Sequence, residues 1–190
     1  VNFYGSERMV RINQGELGLK DLEWIIPHNV HVVLIPKVED PSQVTAVDER
    51  IAEIKSREKI EAKTFLMPII ESALGGIKAY EIASASPNIS ALALGLEDYT
   101  ADIGVQRTLE GRESFWLRSV IVNAARAARV QPIDTVFTDV ADMVGLRESV
   151  IEAKSLGFDG KGCIHPRQIP VVHEAFAPTA LEISKAKKIV

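Results

Sequence analysis

The 190-residue sequence predicts an α/β fold, a (β/α)8 barrel that lacks its first two strands. Three observations carry this. Short apolar runs alternate with longer amphipathic stretches from one end to the other, run 30–35 is almost wholly apolar, and no GxGxxG turn follows any run. Alternation of strand and helix implies a parallel sheet. A nearly continuous apolar run reads as a parallel strand with both faces covered. An open dinucleotide-binding sheet should begin with the glycine-rich turn, so a barrel is the better closure. A barrel needs eight strands and six are legible, so two are expected before Val1.

Residues 9–12 form the first β-type run, closed by Asn13, Gln14 and Gly15. A helical spacing over 19–26 stops at Pro27, and strand 30–35 ends at Pro36 and Lys37. Residues 42–59 are a polar helix with apolar positions at Val44, Val47, Ile51 and Ile54, spaced three or four apart. The series continues with strand 64–70, helix 75–84, strand 91–96 and the Ala- and Arg-rich helix 111–129. Strand 135–138, helix 143–156, strand 162–165 and a helical piece over 169–176 complete it. Both ends read as cut: Val1 to Phe3 enter without a start methionine, and 181–190 reads as a helix stopped in mid-pattern.

Composition narrows the function classes. Hydrophobic residues make up 46% and charged residues 25%, the balance of a soluble globular protein. A formal charge of −4 offers no broad basic surface, which argues against nucleic acid as a partner. The single cysteine, Cys163, has no internal disulfide partner, in keeping with a cytoplasmic location. No apolar run approaches the ~20 residues of a membrane span, and VNFYGSERMV lacks the pattern of a secretory signal. Neither a membrane nor a Cys/His metal cluster is expected.

In barrels of this type the chemistry sits at the C-terminal ends of the strands. The polar residues closing the six runs are Arg11 and Asn13; Lys37 and Glu39; Glu71; Glu97, Asp98 and Asp102; Asp139; and His165. Glu71 and Asp98 are expected on adjacent strand ends. Mg²⁺ takes one or two protein carboxylates and completes its shell with other oxygens, so the pair is a candidate metal site. Strand-end acids also cap the helix that follows, and the pattern alone leaves both readings open. Glu97 is the weaker ligand, since its side chain should point away from that of Asp98.

Arg11 lies between Val10 and Ile12, where a guanidinium is costly without an anionic partner. It is either a structural ion pair or a bidentate grip on a substrate carboxylate. Lys37 reads as a solvent or ion-pair residue before a Schiff-base nucleophile, and His165 as a general acid or base. His28, His31 and His173 read as bystanders, Met67 and Trp116 as core, and Cys163 as a small buried strand residue.

Several segments together resemble one family. They are Met9–Val10–Arg11–Ile12–Asn13, Leu34–Ile35–Pro36–Lys37, Pro68–Ile69–Ile70–Glu71–Ser72–Ala73–Leu74–Gly75 and Leu94–Gly95–Leu96–Glu97–Asp98–Tyr99–Thr100–Ala101–Asp102. Gly157–Phe158–Asp159–Gly160–Lys161, Ile164–His165–Pro166–Arg167–Gln168–Ile169 and Ala177–Pro178–Thr179 follow in order. This is similar to the citrate lyase beta-subunit family, within the broader HpcH/HpaI aldolases and malyl-CoA lyases. The resemblance implies one TIM-type barrel lyase domain over residues 1–190, truncated at both ends. The family's first two strands and its C-terminal extension have no counterpart in the sequence.

The resemblance further implies Glu71 and Asp98 as ligands of Mg²⁺, with Mn²⁺ as a substitute, and Arg11 as the residue that binds the keto-acid carboxylate. The implied reaction is retro-Claisen cleavage of a 3-hydroxyacyl thioester, carried on CoA or a CoA-like prosthetic group. Citryl thioester would give oxaloacetate and an acetyl thioester. The resemblance also implies a homo-oligomer, trimer or hexamer, with citrate lyase alpha and acyl-carrier subunits as partners. Stand-alone malyl- or citramalyl-CoA lyases and thioesterases would share every motif, and a non-catalytic assembly barrel is the reading from a different class.

Overall fold

In a computed structural model the chain forms one six-stranded parallel sheet with neighbouring strands in sequence order, and helices pack on its outer face. The structure describes residues 4–189, so Val1 to Phe3 and Val190 of the two ends read as cut lie outside the described residues. The strands are β1 (Met9–Arg11), β2 (Val32–Ile35), β3 (Phe65–Ile70), β4 (Ala91–Leu94), β5 (Gln131–Asp134) and β6 (Gly160–Lys161). The helices are α1 (Gly15–Ile25), α2 (Pro41–Glu58), α3 (Ala73–Ile77), α4 (Ala79–Ala83), α5 (Leu96–Asp102), α6 (Arg112–Ala128), α7 (Met143–Leu156), α8 (Gln168–Phe176) and α9 (Ala180–Ala186). Six parallel strands in unbroken order, curving as half of a barrel, are what the described residues build.

Side-chain alternation divides the sheet into two faces. Val33, Ile35, Leu66, Ile70, Leu92 and Leu94 face the helices, in one core with Val44, Val47, Ile51 and Ile54 of α2 and Leu117 and Ile121 of α6. On the opposite face Val32, Met67, Ala91 and Ala93 cluster, with Leu34, Phe65, Ile69 and Ile133 packed against them. Both faces of β2, β3 and β4 are therefore apolar, as the nearly continuous runs require. The four α2 positions named by periodicity are all buried. No helix among the described residues is long and apolar enough to cross a membrane.

Departures from expectation have local causes. Helix 75–84 is two short helices meeting at Lys78. Gly75 and Gly76 lie so close to Val38 O and Leu117 Cδ1 that an added Cβ would stand 2.6 Å from each. Strand 91–96 stops at Leu94 because Gly95 and Leu96 already open α5. The fifth and sixth strands fall earlier than 135–138 and 162–165. Gln131, Pro132 and Ile133 pair with Ala91, Leu92 and Ala93, and Ile133 and Asp134 pair with Gly160 and Lys161. Asp134 is tolerated in a buried strand because two cations meet it there.

Trp116 is half exposed and Cys163 lies exposed in the turn after β6, so neither is the core residue expected. Met67 is buried as expected. His165 is in the same turn and accepts the Arg167 N–H; it ends no strand.

Candidate active site

Parity along the strands sets the directions of the key side chains. Glu71 follows β3 after Ile70, which faces the helices, so its carboxyl turns toward the inner, concave face. Its Oε1 accepts the Lys37 main-chain N–H at 2.7 Å, across from the end of β2. Capping is thus not the work of Glu71. The Ser72 hydroxyl caps α3 instead, accepting the Gly75 N–H at 3.1 Å.

Asp98 is in the first turn of α5 rather than at the end of β4. Its negative charge at a helix N-terminus is favourable, and the cap residue itself, Gly95, has no side chain to cap this helix. Asp98 Oδ1 lies 3.6 Å from Lys37 Nζ. Three links hold α5 in place. Asp102 Oδ2 accepts the Ala73 N–H at 2.8 Å, and Thr135 Oγ1 accepts the Leu96 N–H at 3.2 Å. Arg107 donates to Glu97 Oε1 at 2.5 Å and to the Val136 carbonyl at 2.9 Å. Glu97 thus points to Arg107, as its expected divergence from Asp98 requires.

The two carboxylates are close enough to feel one another. Burial pushes the Glu71 carboxyl above its ordinary range, the Lys37 N–H pulls it down, and the nearby Asp98 charge pushes it up again. Gly95 is the floor of this contact, for an added Cβ would stand 2.6 Å from Glu71 Oε2. Two mutually repelling hard-oxygen donors beside one ammonium are a donor set that fits Mg²⁺. Among the described residues no three His, Cys, Asp or Glu side chains gather as a metal cluster. An ion held by the pair would draw its other oxygens from small molecules, the coordination Mg²⁺ favours.

Arg11 corrects one expectation. It is exposed, not buried among apolar neighbours, and makes no ion pair with any described residue. It aligns with Leu34 on β2, an inner-face residue, so it rises from the same concave side as Glu71. Among the described residues it thus forms no structural ion pair, and its guanidinium stands exposed on that side.

A second charged group was not legible from strand ends. Asp134 is fully buried between Arg118 Nη2 at 3.1 Å and Lys161 Nζ at 2.8 Å, and Arg118 Nη1 reaches Glu152 at 2.8 Å. Burial pushes the Lys161 ammonium pKa down, against the pull of Asp134. A cleft of about 650 Å³ opens here between α6 and α7, and neither Glu71 nor Asp98 lines it. Its buried charges, Arg118, Asp134 and Lys161, are already paired with one another in the sheet–helix layer, so size alone does not make it the catalytic site. Asp139 accepts the N–H groups of Ala141 and Asp142 in the loop before α7 and takes no part in the carboxylate pair.

Known proteins resemble this chain in sequence and in fold. The family profile described as HpcH/HpaI aldolase/citrate lyase matches residues 1–166. The chain is 38% identical to the citrate lyase subunit beta of Escherichia coli strain K12 over 97% of its length, covering 62% of that protein. It is 33% identical to the mitochondrial citramalyl-CoA lyase of Mus musculus, again over 97% of its length and 58% of the relative. A citrate lyase beta subunit of Mycobacterium tuberculosis, solved with oxaloacetate and magnesium, superposes with a TM-score of 0.74 at 31% identity. That match covers 90% of this chain and 72% of the other. The chain thus spans less than two-thirds of the length of the two enzymes matched by sequence, and it belongs to the HpcH/HpaI aldolase/citrate lyase family.

Proposed function

We propose that the chain carries the metal and keto-acid site of a Mg²⁺-dependent carbon–carbon lyase. Its substrate class is the 3-hydroxyacyl thioester, and its reaction is cleavage of citryl thioester to oxaloacetate and an acetyl thioester, as in a citrate lyase beta subunit. The carrying observation is the meeting of Glu71 and Asp98 through Lys37, which contacts both. The Mycobacterium tuberculosis relative with oxaloacetate and magnesium supports the same pairing of metal and keto acid.

Bound Mg²⁺, or Mn²⁺ in its place, supplies Lewis-acid polarisation of a substrate oxygen. The protein's part is orientation. Glu71 and Asp98 would hold the ion, and the Lys37 N–H and the close Gly95 backbone fix the Glu71 carboxyl for that task. Arg11, with no partner of its own among the described residues, takes the carboxylate of the keto-acid half in a two-pronged grip. The apolar inner face of Leu34, Met67, Ile69 and Ala93 lowers the local dielectric and strengthens that grip. In the cleavage the hydroxyl proton goes to a base, and the carbon–carbon pair passes to the thioester enolate, which is then protonated at carbon.

The same reading extends to the whole protein: a complete TIM-type (β/α)8 barrel of which residues 1–190 are one lyase domain, and CoA or a CoA-like group as acyl carrier. It includes a homo-oligomer, trimer or hexamer, working in the cytoplasm with alpha and acyl-carrier subunits. The match to a citramalyl-CoA lyase favours a second reading, a stand-alone lyase or thioesterase for malyl- or citramalyl-CoA. Assaying citryl-, malyl- and citramalyl-CoA with and without Mg²⁺ separates the two. No Mg²⁺-dependent cleavage of any of them, with no oxaloacetate binding, would leave the assembly barrel.

A further inference from the structure

Lys37 touches both carboxylates with different parts of itself. Its main-chain N–H grips Glu71 at 2.7 Å, while its ammonium stands 3.6 Å from Asp98 Oδ1. It does so from a left-handed backbone conformation, φ 49°, which non-glycine residues rarely adopt. No other described side-chain cation pairs with Asp98, and none pairs with Glu71. The Lys37 and Asp98 side chains are each about half exposed, 49% and 51%, so the ammonium is free to swing into solvent.

From this geometry we propose that Lys37 is a built-in counter-ion that occupies the metal's electrostatic place and must leave when a divalent cation binds. The proposal rests on the reading of Glu71 and Asp98 as metal ligands. A monovalent ammonium offsets the repulsion of the two carboxylates and keeps the pair assembled before loading. A divalent ion between them supplies that charge instead and repels the ammonium at short range. The side chain therefore lowers the affinity for the metal, while the backbone N–H, which does not move, keeps Glu71 oriented in both states. Lys37 is a positioning residue with two separable halves.

Lys37→Asn separates them. Asparagine tolerates the left-handed conformation and keeps the N–H, but carries no charge. Magnesium titration calorimetry on the full chain should show Mg²⁺ binding about 2- to 5-fold tighter in K37N, the scale of an exposed ion pair. The metal-free melting temperature should fall slightly. Lys37→Gly should do the same, and in an Asp98→Asn background the gain should vanish. Unchanged or weaker Mg²⁺ binding in both folded variants, with Glu71→Gln abolishing binding, would overturn the proposal alone. Mg²⁺ binding that survives Glu71→Gln and Asp98→Asn would overturn the metal-site reading and the proposal with it.

Discussion

A methyl group on Gly95 would stand 2.6 Å from Glu71 Oε2 and 2.9 Å from Glu71 Cβ. The carboxyl end can swing aside, but the Cβ, fixed to the end of β3, cannot. Gly95→Ala should therefore push the Gly95 turn and the end of β3 apart, lower the melting temperature and turn the Glu71 carboxyl out of line. Magnesium affinity measured by calorimetry should fall roughly 10- to 100-fold, as when a group supporting a metal ligand is lost.

Glu71 also makes stability depend on pH. Its folded pKa is raised, first by burial and also by Asp98, so the folded state favours the protonated carboxyl. That contribution is fully present below the unfolded carboxylate pKa and is lost as pH rises through the folded value. Glu71→Gln, still able to accept the Lys37 N–H, should therefore be more stable than the metal-free wild type at neutral pH. The difference should close on acidification below the carboxylate range, as read from thermal melts in chelator.

Metal should reverse that ranking. At a Mg²⁺ concentration 100 times its Kd the wild type should gain about 2.7 kcal/mol by mass action. Glu71→Gln and Asp98→Ala should gain almost nothing, and Asp98→Ala should lose Mg²⁺-dependent cleavage of citryl- or malyl-CoA. Full retained activity in that variant would remove Asp98 from the metal site.

The Asp134 cluster is expected to act on stability alone. Asp134→Ala leaves Arg118 without its buried partner and Lys161, 1% exposed at its side chain, without any. The cost should be about 3–5 kcal/mol in a urea melt, the scale for stripping a buried ion pair of one member. Mg²⁺ affinity of the folded fraction should not change, because the cluster faces the helices rather than the inner face.

Arg11→Ala should raise the KM for the hydroxyacyl thioester and lower kcat/KM roughly 10- to 100-fold, the loss of a charge-assisted contact. Arg11→Lys should recover little, since an ammonium cannot make the two-pronged contact. Melting temperature should stay within a degree or two, because the side chain is exposed and pairs with no described residue.

What the sequence made legible follows the physics of each element. β2, β3 and β4 bury both faces, so their apolar runs stand out, and α2 shows its buried stripe at Val44, Val47, Ile51 and Ile54. β5 and β6 did not stand out, because Gln131, Pro132, Asp134 and Lys161 are strand residues only by virtue of pairing and of the Arg118–Asp134–Lys161 contacts. Val136, Phe137 and Thr138 carry stronger β character and drew the reading four residues too far. The nearness of Glu71 and Asp98 was legible from their adjacent strands, although Asp98 opens α5 rather than ending β4. The part played by Lys37 was not, since a left-handed main-chain contact leaves no trace in residue type.

The central claim is that Glu71 and Asp98 hold one metal ion beside the Arg11 guanidinium. A crystal of the protein soaked with Mg²⁺ and oxaloacetate tests it most directly. One ion ligated by both carboxylates, with the keto acid bridging it to Arg11, is the predicted result. An ion bound elsewhere, or oxaloacetate bound without either carboxylate near it, would contradict the account.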